Sequence, residues 1–149
     1  PYTTLFRSLL EMRLALDPLA AGLAAQRRTR DDIAQIRAAS EIHALPGHPS
    51  LDQLVRHRRF HQTIYRAAHN DVLIATLDAL WDKSDRYRLA ALRRNRDDEE
   101  LQQKDAEHHE LMMCVIAGDS DGASEVMRRH IQSSLGATAT RLLSEDADL

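Results

Sequence analysis

His57 and His61 stand four residues apart in the stretch "RHRRFHQ", Arg56 to Gln62. At that spacing two imidazoles share one face of a helix, a turn apart, and together they can chelate one metal ion. A solvated basic face is the competing reading, since Arg58 and Arg59 lie between them. Two other histidines favour the metal. His108 lies ten residues before Gly118, and His130 lies eleven after Asp119. If the helices flanking "AGDSDG" form a hairpin, both sit at one level, about 15 Å from the turn at 1.5 Å rise per residue. His108 aligns with Leu101, Leu111, Met112 and Val115, and His130 with Ala123, Val126 and Met127, so both occupy apolar faces. A lone histidine on such a face is usually a satisfied core residue. Two at one level, with an i,i+4 pair elsewhere, point to convergence on a buried ion, and a bundle core is a common place for one. His43, His48, His69 and His109 read as background, at joints, at a helix end or on an outer face.

Arg13 is the other residue whose type conflicts with its position. It falls on the stripe of Leu9, Leu16 and Ala20, and a guanidinium facing a core needs an anionic partner. Glu11 and Asp17 are the internal candidates, and neither is expected to share its face well. A carboxylate from outside the chain is the alternative, and snorkelling to the surface is the third reading.

These residues need a helical frame, and the sequence supplies one. The 149 residues suffice for one domain with a real core. Five glycines, four prolines and 4% aromatics, among abundant Ala, Leu, Arg and Glu, predict an all-helical chain. About six helices are expected, in one antiparallel bundle. The first runs from about Thr4 to Arg27, with Pro18 inside it removing a backbone donor. The second spans about Thr29 to Ala44, and "LPGHP" breaks the chain after it. The third opens at Ser50 and ends near His69. Asn70 and Asp71 begin the fourth, whose inner face carries Leu73, Leu77, Leu80, Trp81 and Ser84. "RRNRDDEE" joins it to the fifth, which stops at Gly118. Asp119 caps the sixth, expected to reach about Leu143 before a polar tail at 144–149.

The totals exclude several classes. The net charge is −3 and no Lys/Arg block dominates one end, which argues against this segment itself gripping nucleic acid. No apolar run is long enough to span a bilayer, and the first residues lack a secretory core. Cys114 is the sole cysteine, so no disulfide forms within the chain, and a cytoplasmic setting is expected.

Three segments in order resemble the effector-binding C-terminal (FCD) domain of FadR-type GntR-family transcription regulators. "EMRLALDPLAAGLAAQR" is similar to that family's opening E-x-R-x-x-L-E-P segment, through Glu11, Arg13 and Pro18, with Asp17 where Glu is usual. "FHQTIYRAAHN" resembles its F-H…N segment, through Phe60, His61 and Asn70. "HHELMMCVIAGDSDGASEVMRRHI" resembles its ending, through His108, Gly118, Asp119, Ala123, Met127 and His130. The resemblance covers about residues 9–143 and leaves out 1–8.

The resemblance implies an all-helical bundle with a buried metal and effector pocket. The metal would be a divalent transition ion held by His57, His61, His108 and His130, with a small carboxylate effector on its open positions. Arg13 would meet the effector's carboxylate. Ser84 and Arg88, placed by spacing on the inner face of the fourth helix, are expected to contact the rest of it. A homodimer is expected. DNA would be reached only through a winged helix-turn-helix that this chain lacks. His57 departs from the family, which typically places aspartate there. Four neutral imidazoles would leave the ion its full charge, which favours an anionic effector. They would also suit zinc first, and nickel or copper, over manganese. Asp105 and Asp52 are substitute carboxylate ligands on a variant of this reading. Two rivals stand beside it. A metal-dependent bundle enzyme would need a base or paired E-x-x-H motifs, and only "DAEH" approaches one. A metal-free helical interaction domain would make the histidines incidental.

Overall fold

A computed structural model describes residues 2–93, 95–138 and 140. The described residues form six α-helices and no strand: α1 Tyr2–Arg27, α2 Arg30–Ala39, α3 Leu51–Arg66, α4 Asp71–Ala91, α5 Asp98–Ala117 and α6 Ser120–Ile131. A π-helical turn, Gln132–Gly136, continues α6. The expected end of the last helix near Leu143 and the 144–149 tail lie outside the described residues.

Local chemistry sets the boundaries. Thr29 and Ser50 each close a capping box, with Asp32 and Gln53 returning the bond. Asp97 caps α5 and Asp119 caps α6. The second helix is shorter than expected. It ends at Ala39 because the Ser40 hydroxyl donates to the Arg37 carbonyl and closes the last turn; the following residues, up to Ser50, are non-helical. Gly118 takes φ 78° at the end of α5, a conformation that costs glycine little. A Cβ there would also lie 2.8 Å from the Arg28 guanidinium. This turn sends α6 back along α5.

The core joins α1, α3, α4, α5 and α6 through Ala20, Ala24, Phe60, Ile64, Leu77, Leu111, Val115 and Met127. On α1 the buried stripe is Phe6, Leu9, Arg13, Asp17, Ala20, Ala21, Ala24 and Ala25. Small residues let α6 approach α1 closely, where Ser120 and Ser124 donate to the Gly22 and Pro18 carbonyls. Residues before Leu9, outside the family resemblance, continue α1. Phe6 packs 4.7 Å from the Tyr87 ring in a second small cluster with Leu9 and Leu135.

Candidate metal centre

The i,i+4 pair on α3 and the two hairpin histidines meet in the bundle interior. His57, His61, His108 and His130 are all buried, and each offers a nitrogen within 4.8 Å of the others. The His108 and His130 rings are 4.6 Å apart, as equal distances from the α5–α6 turn require. His57 and His61 lie 4.8 Å apart, and His61 stacks on His130 at 5.3 Å. His43, His48, His69 and His109 are exposed and stay outside the group.

The partners of the four rings differ. Both ring nitrogens of His61 and both of His108 are buried without a protein hydrogen-bond partner among the described residues. His130 Nδ1 lies 2.6 Å from Glu107 Oε2. His57 Nδ1 lies 3.0 Å from an Arg88 guanidinium nitrogen. Burial lowers the basicity of all four imidazoles. Neighbouring histidines and cations lower it further for His57, His61 and His108, well below the usual range, while the Glu107 carboxylate partly offsets the burial of His130. The rings are therefore neutral near pH 7. Burial would raise the Glu107 carboxyl, but the His130 bond, Lys104 and Ser133 outweigh it and hold the group at about 2. Ionised Glu107 must accept the His130 Nδ1 proton, so His130 Nε2 keeps its lone pair.

Each neutral imidazole left without a partner strands a donor and an acceptor, and a buried unsatisfied polar group costs about 1–3 kcal/mol. Ring nitrogens converging in a buried group, one of them backed by a carboxylate, are a donor set that suits a divalent transition metal. The residues present fit such an ion.

The cluster opens on a cavity of about 130 Å³ lined also by Arg13, Trp81, Arg88, Arg96, Lys104 and Ser134, among others. Arg13 is 3% exposed, and its guanidinium lies 4.6 Å from the Trp81 ring centroid. The expectation that neither nearby acid shares its face is corrected for Asp17. The two are one turn apart on the same stripe and form a buried ion pair at 2.7 Å. Asp17 also accepts from the Tyr65 hydroxyl at 2.7 Å. Burial opposes the Arg13 charge, yet Asp17 and Tyr65 more than restore it. Arg88 also lines the cavity, its pKa lowered to about 10 by burial against the support of Asp85. Ser84 does not line the cavity: its hydroxyl, 2% exposed at the residue level, donates to the Leu80 carbonyl at 2.7 Å. Neither substitute carboxylate is in the metal group. Asp105 binds the Ala44 amide, and exposed Asp52 pairs with Arg56 at 2.9 Å.

Three participants escaped the sequence reading. Lys104 and Glu107 share the buried face of α5 with His108, four and one residues before it. Lys104 donates to Glu107 at 3.3 Å and to Ser134 at 3.0 Å, and also bonds Ser133. The π-helical turn brings both serines to it, and such turns are frequent at functional sites. Two charges on the apolar stripe of α5 were the available signal. Arg96 lies before α5 and bonds the Leu45 carbonyl at 2.6 Å; no pattern in the sequence marks it.

Comparison with known proteins agrees with this architecture. The FCD domain model matches residues 8–133. The HTH-type transcriptional repressor GlaR of Escherichia coli K12 is 30% identical over 130 residues, covering 85% of this chain and 59% of its own. A putative L-lactate dehydrogenase operon regulatory protein of the same organism is 29% identical over 144 residues, 93% of this chain and 52% of its own. The chain thus spans little more than half the length of these relatives. Among solved structures, E. coli McbR/YncC superposes with a TM-score of 0.74 at 20% identity, over 91% of this chain and 65% of that one. A GntR-family regulator from Pseudomonas syringae pv. tomato DC3000 gives 0.68 at 19% identity, over 95% and 59%. No helix among the described residues is long and apolar enough to cross a membrane. With the family model covering most of its length and transcriptional regulators as its relatives, the chain belongs to the FCD domain family of GntR-type transcription regulators.

Proposed function

We propose that this chain is the sensing domain of a cytoplasmic GntR-type regulator, and that it binds a divalent transition metal and a small organic-acid effector. One observation carries the reading: four buried histidines converge within 4.8 Å, and two of them have no protein hydrogen-bond partner at either nitrogen among the described residues. His61, His108 and His130 would hold the ion, with His57 facing the same cavity beside them. Zinc suits this imidazole set best and nickel next. When bound, the metal supplies a positive charge and open positions for a carboxylate or hydroxyl oxygen.

The chain's own residues do the rest. Glu107 fixes the His130 tautomer and is itself held by Lys104 and Ser133. Arg13 and Arg88 lie 4.6 and 4.7 Å from the Trp81 ring centroid, and both line the cavity. Both already have carboxylate partners, so their charges are largely balanced. Anion selection would then rest on donor geometry and on the metal's charge. Effector binding would shift the helices around the cavity, and a dimer of complete regulators would transmit the shift to its DNA-reading heads.

The test is a thermal-shift screen of hydroxy acids, sugar acids and dicarboxylates on zinc-loaded protein. A melting temperature that rises with one acid, and no longer does in Arg13→Met, supports the reading. A flat response across small carboxylates rejects the effector class.

A further inference from the structure

His57 and His130 face the same cavity, but opposite kinds of group hold their Nδ1 atoms. A carboxylate can only accept, so Glu107 leaves His130 with its proton on Nδ1 and a lone pair on Nε2. A guanidinium can only donate. Arg88 Nη1, 3.0 Å away, therefore occupies the lone pair of His57 Nδ1. The proton of a neutral ring must then sit on the other nitrogen, Nε2. In that state His57 has no free lone pair on either nitrogen.

The position of Arg88 is built. Asp85 Oδ1 accepts from Arg88 Nη2 at 2.7 Å, while Asp85 Oδ2 accepts from Arg58 at 3.0 Å. Arg58 also pairs with Asp82 at 2.7 Å. The guanidinium of Arg88 rests 4.7 Å from the Trp81 centroid. A chain of contacts, Arg58 to Asp85 to Arg88 to His57, thus runs from the half-buried rim to the site. His57 Nε2 has no hydrogen-bond partner within the protein among the described residues, and the ring lines the cavity.

We infer that His57 is not the fourth metal ligand but an N–H donor, fixed in the Nε2–H tautomer by Arg88 and aimed at an anionic oxygen of the effector. This rests on the sensor reading above and refines it. The metal would be held by His61, His108 and His130 alone, which leaves more of its coordination sphere open. His57 then becomes a specificity residue, which favours ligands carrying an acceptor oxygen beside the metal. An aspartate at this position would hold the ion and repel an anion. A histidine held by Arg88 does neither.

Long-range proton–nitrogen NMR of histidine-labelled protein reads the tautomer of each ring directly. Spectra of the metal-free and zinc-loaded chain would be compared. The inference expects His57 protonated on Nε2 in both, with zinc moving a nitrogen of His61, His108 and His130 into the metal-bound range and leaving those of His57 outside it. In Arg88→Met the fixed tautomer should be lost. Chelator competition gives the second readout. His57→Ala should raise the zinc Kd by less than about tenfold, whereas His61→Ala should exceed the roughly 100-fold upper range for partners outside the coordination sphere. A metal-bound shift at His57, an Nδ1–H tautomer in the metal-free chain, or equal losses in the two alanine variants would overturn it. If the parent binds no zinc while His57 still shows the Nε2–H tautomer, the metal reading fails and the donor assignment stands.

Discussion

The two ends of the histidine cluster are wired in opposite senses. On the α5–α6 side, His130 leans on Glu107, a buried carboxylate held at about 2 and surrounded by Lys104 and Ser133. On the α3–α4 side, His57 leans on Arg88, a cation anchored by Asp85. The first arrangement raises the electron density of a ring and offers its lone pair. The second consumes the lone pair and offers a proton. The same residue type on two faces of one cavity is thus given two chemical roles by its outer partner. The lesson is that a histidine cluster cannot be counted as a ligand set until the group behind each ring has been named.

The largest effect should come from emptying the carboxylate-backed side altogether. A ligand that binds only the folded state at a thousand times its Kd adds about 4 kcal/mol. Stripping zinc with a chelator should therefore lower the melting temperature by roughly 10 °C in a domain of this size. Calorimetry before and after dialysis against chelator measures it, and an unchanged transition would break the comparison at its root.

Next comes Glu107. Replacing it by Leu removes the acceptor that fixes His130 and takes the counter-charge from Lys104, so zinc affinity should fall by roughly 10–100-fold. Glu107→Gln keeps an acceptor without the charge and should fall less. Competition against a chromogenic chelator separates the two. Equal behaviour of both variants would mean that shape, not charge, holds the ring.

A smaller effect should appear with pH in the metal-free chain. Above the ordinary histidine value near 6.5, folded and unfolded states both keep these rings neutral, and the cluster contributes nothing to the pH dependence. Below it the unfolded chain takes up protons that the buried rings refuse. Stability should then fall with decreasing pH, by at most about 1.4 kcal/mol per pH unit for each ring. Glu107 adds its loss only below its ordinary value of 4.5, so the interval from pH 6.5 to 5 isolates the histidines. Urea melts across that interval, compared with His61→Phe, measure the slope. A slope unchanged by the substitution would deny the lowered basicity.

The smallest change should follow Arg88→Met on the other side. It frees His57 Nδ1 without touching His61, His108 or His130, so zinc binding should hold or tighten slightly while the response to an added acid weakens. Isothermal titration with zinc, then with the acid found by thermal shift, resolves both. Loss of zinc binding in this variant would give the two sides the same role.

Helical periodicity made the first half of this site legible. His57 and His61 are neighbours on any helix, and His108 and His130 follow from counting residues on either side of Gly118 once the hairpin is assumed. The all-helical bundle followed in the same way, from composition and breakers. Contacts between elements were not legible. Nothing in the spacing of Arg88 reveals that it lands on His57, because that contact depends on how α3 crosses α4. Nor does it reveal that a π-helical turn brings Ser133 and Ser134 to Lys104. Asp17 differs, since its place four residues after Arg13 was visible and the buried pair could have been read from it. The partner of Ser84 was equally hidden: on a helix a serine can spend its hydroxyl on the carbonyl one turn back, and here it does. The end of α2 at Ala39 was masked by apolar Ile42 and Ala44, which extend the pattern after the backbone has stopped being helical.

The central claim is that the buried histidines hold a metal. Metal content by mass spectrometry, on protein purified without a histidine tag and alongside His61→Ala, tests it most directly. The account predicts about one divalent transition ion per chain in the parent and none in the variant. A parent chain free of metal, even after incubation with zinc or nickel, would contradict it and leave a helical domain whose histidines serve another end.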